Sequence, residues 1–281
     1  MTIGTIHLLA LDLDGTTLSH DGIVTPRTKA AIEKVAATGA IVALCSGRSN
    51  ATMAAAKASI GLDVLQVAFN GCLGLGYTEN VLFKDTLSTD QVSAVLNVAT
   101  QLNSTVNYYS ESVIYAVPKS PQHKALIARY QAQTGAQYKL IDSYSSIQTA
   151  TCKLLILTET VAEVERTLRT ALGDTVEIVR DNYFVECLPA RVNKGVGFTK
   201  LCKQIGMPVQ NTAAFGDGIN DIEFLQAAGV GVAMANAKAE LKSVASRVTE
   251  FTNREDGLAI ELERMLEQGR FAAPPAGTIE M

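Results

Sequence analysis

Two clusters of aspartate in this chain each follow an apolar run. Ile6-His7-Leu8-Leu9-Ala10-Leu11 stops at Asp12-Leu13-Asp14-Gly15-Thr16, and Thr212-Ala213-Ala214-Phe215-Gly216 stops at Asp217-Gly218-Ile219-Asn220-Asp221. A strand-end carboxylate such as Asp12 is a competent nucleophile toward phosphorus. Asp14, two residues on, could give a proton to a leaving oxygen and later take one from water. If the two runs are neighbouring strands, Asp12, Asp14 and Asp217 converge, and like charges that close are costly unless a cation sits between them. Oxygen-only donors call for a hard cation, with Mg²⁺ the default. The chemistry these residue types allow is therefore metal-assisted handling of a phosphate.

Further groups fit the same chemistry. Gly15 permits a tight turn with amides facing phosphate oxygens. Ser46, at the end of Ile41-Val42-Ala43-Leu44-Cys45, offers a hydroxyl, and Gly47 an amide. Lys194 opens a helix and adds a point charge. Arg48, Asn70, Gly71 and Asn220 stand at the same expected strand ends and complete the expected phosphate- and substrate-binding set. A salt bridge or a helix-start role suits Arg48 at least as well as contact with substrate.

The elements that must position these residues alternate from the start. Short apolar runs read as buried parallel strands, whose carboxyl ends carry the ligands in open α/β sheets. Thr25-Pro26 opens a helix and Gly39 closes it. Strand Ile41–Cys45, an Ala-rich helix from about Asn50 to Ile60, and strand Leu65–Phe69 complete a βαβαβ order, which predicts a doubly wound parallel sheet.

The pattern then changes. Gly74–Asp85 is hairpin-like, Ser88-Thr89-Asp90-Gln91 is a capping box, and Val106–Val117 reads as one Tyr- and Val-rich antiparallel strand. Helices over Pro121–Thr134 and Val161–Leu172, and strands near Thr151–Leu157, Val176–Val179 and Tyr183–Leu188, predict an α+β insert spanning 84–186. The βα pattern resumes at Lys194, so 1–83 and 187–281 form one discontinuous domain. The last helix is expected over about Arg254–Gln268, and residues from about 271 to 281 as an irregular, poorly ordered tail.

Composition narrows the function classes. The formal net charge is −4 without a Lys/Arg run, which argues against a nucleic-acid surface. No stretch is long and apolar enough to span a membrane, and the amino terminus lacks a signal-peptide pattern, so a cytoplasmic protein is expected. The five cysteines are scattered without a Cys-x-x-Cys pair, which disfavours zinc and disulfide frameworks. His7, His20 and His123 are dispersed and read as structural or exposed. P-loop and dinucleotide fingerprints are absent.

Asp12-Leu13-Asp14-Gly15-Thr16, Ser46-Gly47-Arg48, Asn193-Lys194-Gly195 and Gly216-Asp217-Gly218-Ile219-Asn220-Asp221, in this order, resemble the four motifs of the haloacid dehalogenase superfamily. Each alone has an ordinary explanation as a turn, a helix start or an Asx cap; the four in order do not. The insert resembles the large α/β cap of the Cof-type phosphatases. Tyr183–Glu186, Arg191–Gly195 and Gly231-Val232-Ala233-Met234-Ala235-Asn236-Ala237 are similar to bacterial sugar-phosphate phosphatases of that branch. The resemblance implies a Rossmann-like core that performs the chemistry and a cap that selects the leaving group. It implies Asp12 as nucleophile, Asp14 as general acid/base that also ligates the metal through its backbone carbonyl, Ser46 and Lys194 on the transferring phosphate, and Asp217 on magnesium with Asn220 and Asp221 in support.

The expected function is Mg²⁺-dependent hydrolysis of small phosphomonoesters through an aspartyl-phosphate, with a sugar phosphate favoured by resemblance. A phosphotransferase or mutase acting on sugar phosphates, and a catalytically silent sugar-phosphate-binding regulator, are the alternatives. The Asp12/Asp14 pair speaks against the silent reading, since binding alone needs neither nucleophile nor proton shuttle. Oligomeric state is not encoded in these features.

Overall fold

β1 (Leu8–Leu11) is a run of four apolar residues with no exposed surface, and it lies in the interior of an eight-stranded sheet. The computed structural model describes residues 4–110 and 113–275. The chain divides into two units, one built from Met1–Arg48, Met53–Phe83 and Asn193–Met281, the other from Ser49–Thr52 and Lys84–Val192.

The first unit begins β1, α1 (Pro26–Ala37), β2 (Ile41–Cys45), α2 (Asn50–Ile60), β3 (Leu65–Ala68), β4 (Leu73–Leu75) and β5 (Val81–Lys84). α1 starts as expected, with the Thr25 side chain accepting from the Thr28 amide and Pro26 in the first turn. The continuous apolar runs of β1 and β2, and β3 with its single polar residue Gln66, are buried along their whole length, as strands covered on both faces must be.

The second unit runs through α3 (Thr89–Gln101), β6 (Thr105–Tyr109), β7 (Ile114–Ala116), α4 (Pro121–Thr134), β8 (Tyr138–Leu140), β9 (Leu154–Leu157), α5 (Val161–Leu172), β10 (Val176–Arg180) and β11 (Phe184–Pro189). Its sheet order is β10-β11-β9-β6-β7-β8, antiparallel except for the parallel pair β7–β8. Val95, Val98, Val164 and Leu168, from α3 and α5, form one apolar cluster with Val106, Leu154, Ile156, Val185 and Cys187 of the sheet. The Ser88–Gln91 capping box closes both bonds at the start of α3.

The first unit then resumes with α6 (Lys194–Gln204), β12 (Thr212–Gly216), α7 (Ile222–Ala227), β13 (Val230–Ala233), α8 (Ala239–Val244), β14 (Arg247–Val248) and α9 (Gly257–Glu267). Its sheet order is β14-β13-β12-β1-β2-β3-β4-β5. β14 through β3 are parallel neighbours, and β4 turns antiparallel to β3. The chain progresses outward from β1 through β2 and β3 on one side, and from β12 through β13 and β14 on the other. The β1/β12 pair is therefore the topological switch point, where open α/β sheets bind ligands. Leu11 pairs with Phe215 and with Leu44, so Asp12, Gly216 and Cys45 end level.

Four expectations differ from the structure. Within Val106–Val117 there are two antiparallel strands, β6 and β7, and not one strand, with residues 111 and 112 outside the described residues. β8 was not foreseen: it is three residues long and partly exposed, too short for a periodic signal. β11 runs to Pro189 and pairs with β9 and β10, so the second unit extends through Val192 and past the expected boundary at 186. Phe271 is buried and bridges Ile6, whose amide donates to the Arg270 carbonyl at 2.8 Å, so the segment from 271 to 275 begins as a docked extension. The rest of the expected tail, 276–281, lies outside the described residues.

Candidate active site

Every sequence-predicted site residue lies in the first unit, around the level ends of β1, β2, β3 and β12. Asp12 follows β1, and its amide donates to the Phe215 carbonyl at 3.0 Å, which extends the ladder by one residue and directs the following turn. Its own carbonyl accepts from Thr17 Oγ1 at 2.6 Å. Inside that turn Gly15 has φ +79, and a Cβ there would stand 2.2 Å from Asp217 Oδ2. Only glycine lets the turn pass this close to the carboxylate.

Lys194 is the centre of charge. It is the first residue of α6, whose Asn193 cap accepts from the Val196 amide at 2.8 Å. That helix end reaches the site because Gly71, at φ +105, leaves room for the Asn193 carbonyl, which a Cβ would meet at 2.1 Å. The Lys194 ammonium is fully buried; it donates to Asp12 Oδ1 at 2.7 Å and also to Asp221 Oδ1. The other Asp221 oxygen accepts from the amides of Asp217 and Gly218 at 3.0 and 2.9 Å. Asp221 is thus a bracket that holds Lys194 and shapes the Asp217 turn. Asp217 Oδ1 accepts from Thr16 Oγ1 at 3.0 Å.

Around this centre, Ser46 is buried and its Oγ accepts from the Arg48 amide at 3.2 Å, while Asn220 Nδ2 donates to Asn70 Oδ1 at 2.9 Å. The second, third and fourth motif loops are therefore brought to the first. The Asp14 carboxylate is on the Arg48 guanidinium, through bonds of 2.8 and 2.6 Å.

Carboxylate oxygens of Asp12, Asp217 and Asp221 lie within 4.8 Å of one another. Burial pushes Asp12 well above the usual carboxylate range; the charges of Asp221 and Asp217 push it further, and Lys194 pulls it back. Burial also pushes Asp217 up to about 6, with the Thr16 hydrogen bond opposing and the Asp221 charge adding. Burial opposes the charge on Lys194, but Asp12 and Asp221 together more than offset it, so its pKa is raised. One ammonium faces three carboxylates, so a buried deficit of positive charge remains. An oxygen-only cluster with that deficit suits a hard divalent cation such as Mg²⁺. Lys194 and the two amides already engage both oxygens of Asp221, which leaves Asp12 and Asp217 as the carboxylates best free to hold it.

Sequence reasoning passed over Asn236. Its Oδ1 accepts from the Asn253 amide at 3.0 Å, which turns its Nδ2 toward the Gly15 carbonyl at 2.8 Å and Asp217 Oδ2 at 3.5 Å. It ties the first and fourth motif loops together. The available signal was its place just beyond the end of β13, next to β12.

The five cysteines are buried and none is in a disulfide among the described residues, and His7 and His123 hydrogen-bond backbone carbonyls at 3.0 and 2.8 Å. No helix among the described residues is long and apolar enough to cross a membrane.

Residues 9–262 match the family model for haloacid dehalogenase-like hydrolases. A 5-amino-6-(5-phospho-D-ribitylamino)uracil phosphatase of Bacillus subtilis is 28% identical over 262 residues, covering 90% of this chain and 95% of its own. A haloacid dehalogenase-like hydrolase from Bacteroides thetaiotaomicron superposes with a TM-score of 0.86 at 24% identity, covering 92% of this chain and 99% of its own. A sugar phosphatase of haloacid dehalogenase subclass IIB superposes with a TM-score of 0.78 at 22% identity, covering 93% and 98%.

Proposed function

Because the chain belongs to the haloacid dehalogenase-like hydrolases, we propose that it hydrolyses small phosphomonoesters with Mg²⁺, through a phosphorylated Asp12. One observation carries this reading. A buried strand-end carboxylate, Asp12, is held at 2.7 Å by a buried ammonium inside an acidic cluster whose charge that single ammonium does not balance.

Lys194 and the Asp221 bracket fix the Asp12 side chain, so the oxygen left free is aimed without reorganisation. Asp12 attacks the phosphorus and the bond to the leaving oxygen breaks, with Asp14 passing a proton to that oxygen. Water then attacks the phosphorus of the acyl phosphate, Asp14 takes its proton, and Asp12 and inorganic phosphate are released. The Ser46 hydroxyl, the Gly47 amide and Lys194 hold the phosphoryl oxygens through both steps, with Gly15, Asn70, Gly71 and Asn220 shaping the loops around them. Asp12, Asp217 and the backbone carbonyl of Asp14 would hold the magnesium. When bound, Mg²⁺ supplies the charge that lets an anionic nucleophile approach an anionic phosphate.

The phospho-D-ribityl group in the Bacillus subtilis relative's name supports a sugar-derived leaving group. The test is phosphate release from a panel of sugar and cofactor phosphates, with magnesium and with a chelator. Acid-quenched enzyme should carry the phosphoryl group on Asp12, and Asp12→Asn should fold normally and turn over nothing. Full activity in chelator, or turnover by the folded Asn variant, overturns the reading.

A further inference from the structure

Asp14 has the proton-transfer role but sits on an irregular turn with its side chain 62% exposed. A general acid must place its proton within hydrogen-bond reach of one oxygen. Nothing in the turn itself holds the carboxylate in one rotamer; Arg48 does. Arg48 Nε meets Asp14 Oδ2 at 2.8 Å and Nη2 meets Oδ1 at 2.6 Å, a two-pronged pairing that fixes the plane of the carboxylate as well as its position. Arg48 is in turn anchored by its backbone. Its amide donates to Ser46 Oγ at 3.2 Å, and its carbonyl accepts from the Phe69 amide at 2.9 Å.

We propose that Arg48 is a positioning residue for Asp14, tying the aim of the acid/base to the loop that carries the phosphate-binding Ser46. This rests on the phosphatase reading above. It differs from direct contact with substrate, one of the roles the sequence left open for Arg48 beside a salt bridge or a helix start. Arg48 acts on where the carboxylate points. When Asp14 donates a proton from one oxygen, the bond to the other keeps it oriented. An ion pair this exposed adds little to stability, so variants should fold.

The two roles separate by leaving group. A poor leaving group needs a well-aimed acid, whereas a good one departs as the anion. A residue that binds the phosphoryl group serves every ester equally. The experiment measures kcat/KM, which reports the steps through phosphoryl transfer, for 4-nitrophenyl phosphate, phenyl phosphate and a primary alkyl phosphate. With Arg48→Ala the alkyl ester should lose on the order of 100-fold and the nitrophenyl ester less than about 3-fold, within the range a general acid contributes. Arg48→Lys, which keeps the charge but not the fork, should fall between. Adding Arg48→Ala to Asp14→Asn should cost nothing further, since the positioned group is already gone. A uniform loss across the series with raised KM, full additivity with Asp14→Asn, or no loss at all in a folded Arg48→Ala overturns the proposal. Wild-type enzyme inactive on the whole series would instead remove the phosphatase reading, and this role with it.

Discussion

Lys194→Met tests the charge ledger of the site most directly. Methionine keeps most of the buried stem and removes the ammonium, which has no exposed surface and touches both Asp12 and Asp221. At an effective dielectric of 20 the gross attraction across the 2.7 Å Asp12 contact is about 6 kcal/mol. Breaking a buried pair by deleting one partner costs about 3–5 kcal/mol net. A second bound comes from protonation, because the stranded cluster can neutralise one carboxylate instead of bearing its charge. From the ordinary Asp value of 3.8, that costs about 1.4 kcal/mol per pH unit, or about 5 kcal/mol at pH 7.5 and about 2 kcal/mol at pH 5.5. The sign follows from linkage. Without Lys194 the folded Asp12 is raised still further above its unfolded value, so stability is lost as pH rises past the unfolded value and returns as pH falls. Urea unfolding in chelator, followed by far-ultraviolet circular dichroism, should show a loss of about 3–5 kcal/mol at pH 7.5 and about 2 kcal/mol or less at pH 5.5. Asp12→Asn on top of Lys194→Met should recover part of the loss. A penalty under about 1 kcal/mol at pH 7.5, or one that does not change with pH, would refute the assignment of Lys194 as the counter-charge of the cluster.

Two further outcomes are expected. Gly15→Ala places a Cβ 2.2 Å from Asp217 Oδ2 at a φ of +79, so Asp217 or the turn must shift; calorimetry should find magnesium binding weakened by at least about tenfold, in the range seen when support around a metal ligand is lost, and an unchanged affinity would be contrary to this. Because burial pushes Asp217 up to about 6 without metal and also raises Asp12, and both must be ionised to bind it, magnesium affinity should fall by at least about tenfold per pH unit below about 6; proton release on binding, counted in two buffers of different ionisation enthalpy, should be seen at pH 5.5, and a pH-independent affinity from 5 to 8 would sink the account.

Much of the first unit was legible because its signals are local and continuous. The runs at Leu8 and Ile41 are apolar throughout, and the run at Thr212 is apolar after its first residue, since those strands are buried on both faces. The starts of α1, α3 and α6 could be placed because their caps are side chains within four residues of the bonds they satisfy. The insert was legible as α+β but not in detail. β8 is too short to show a period, and the Tyr- and Val-rich composition of Val106–Val117 extends over both of the paired strands β6 and β7, so it carries no signal that separates them. Phe271 looked like part of a tail because its partner, Ile6, lies at the other end of the sequence.

By itself the sequence determined which residues can do chemistry and which end of the sheet they occupy, because residue type and strand polarity are local properties. It also determined that an insert separates the motifs. Only the tertiary structure decided the pairings. β1 against β12 brings Asp12 and Asp217 together, and the Gly71 approach admits the start of α6, so one ammonium can serve Asp12 and Asp221 at once. Only there does Asp14 meet Arg48, and Asn236 meet both the Gly15 carbonyl and Asp217. Electrostatic and hydrogen-bond energies depend on distances between atoms far apart in the chain. Those distances are set by the register of the sheet and by the space its glycines leave.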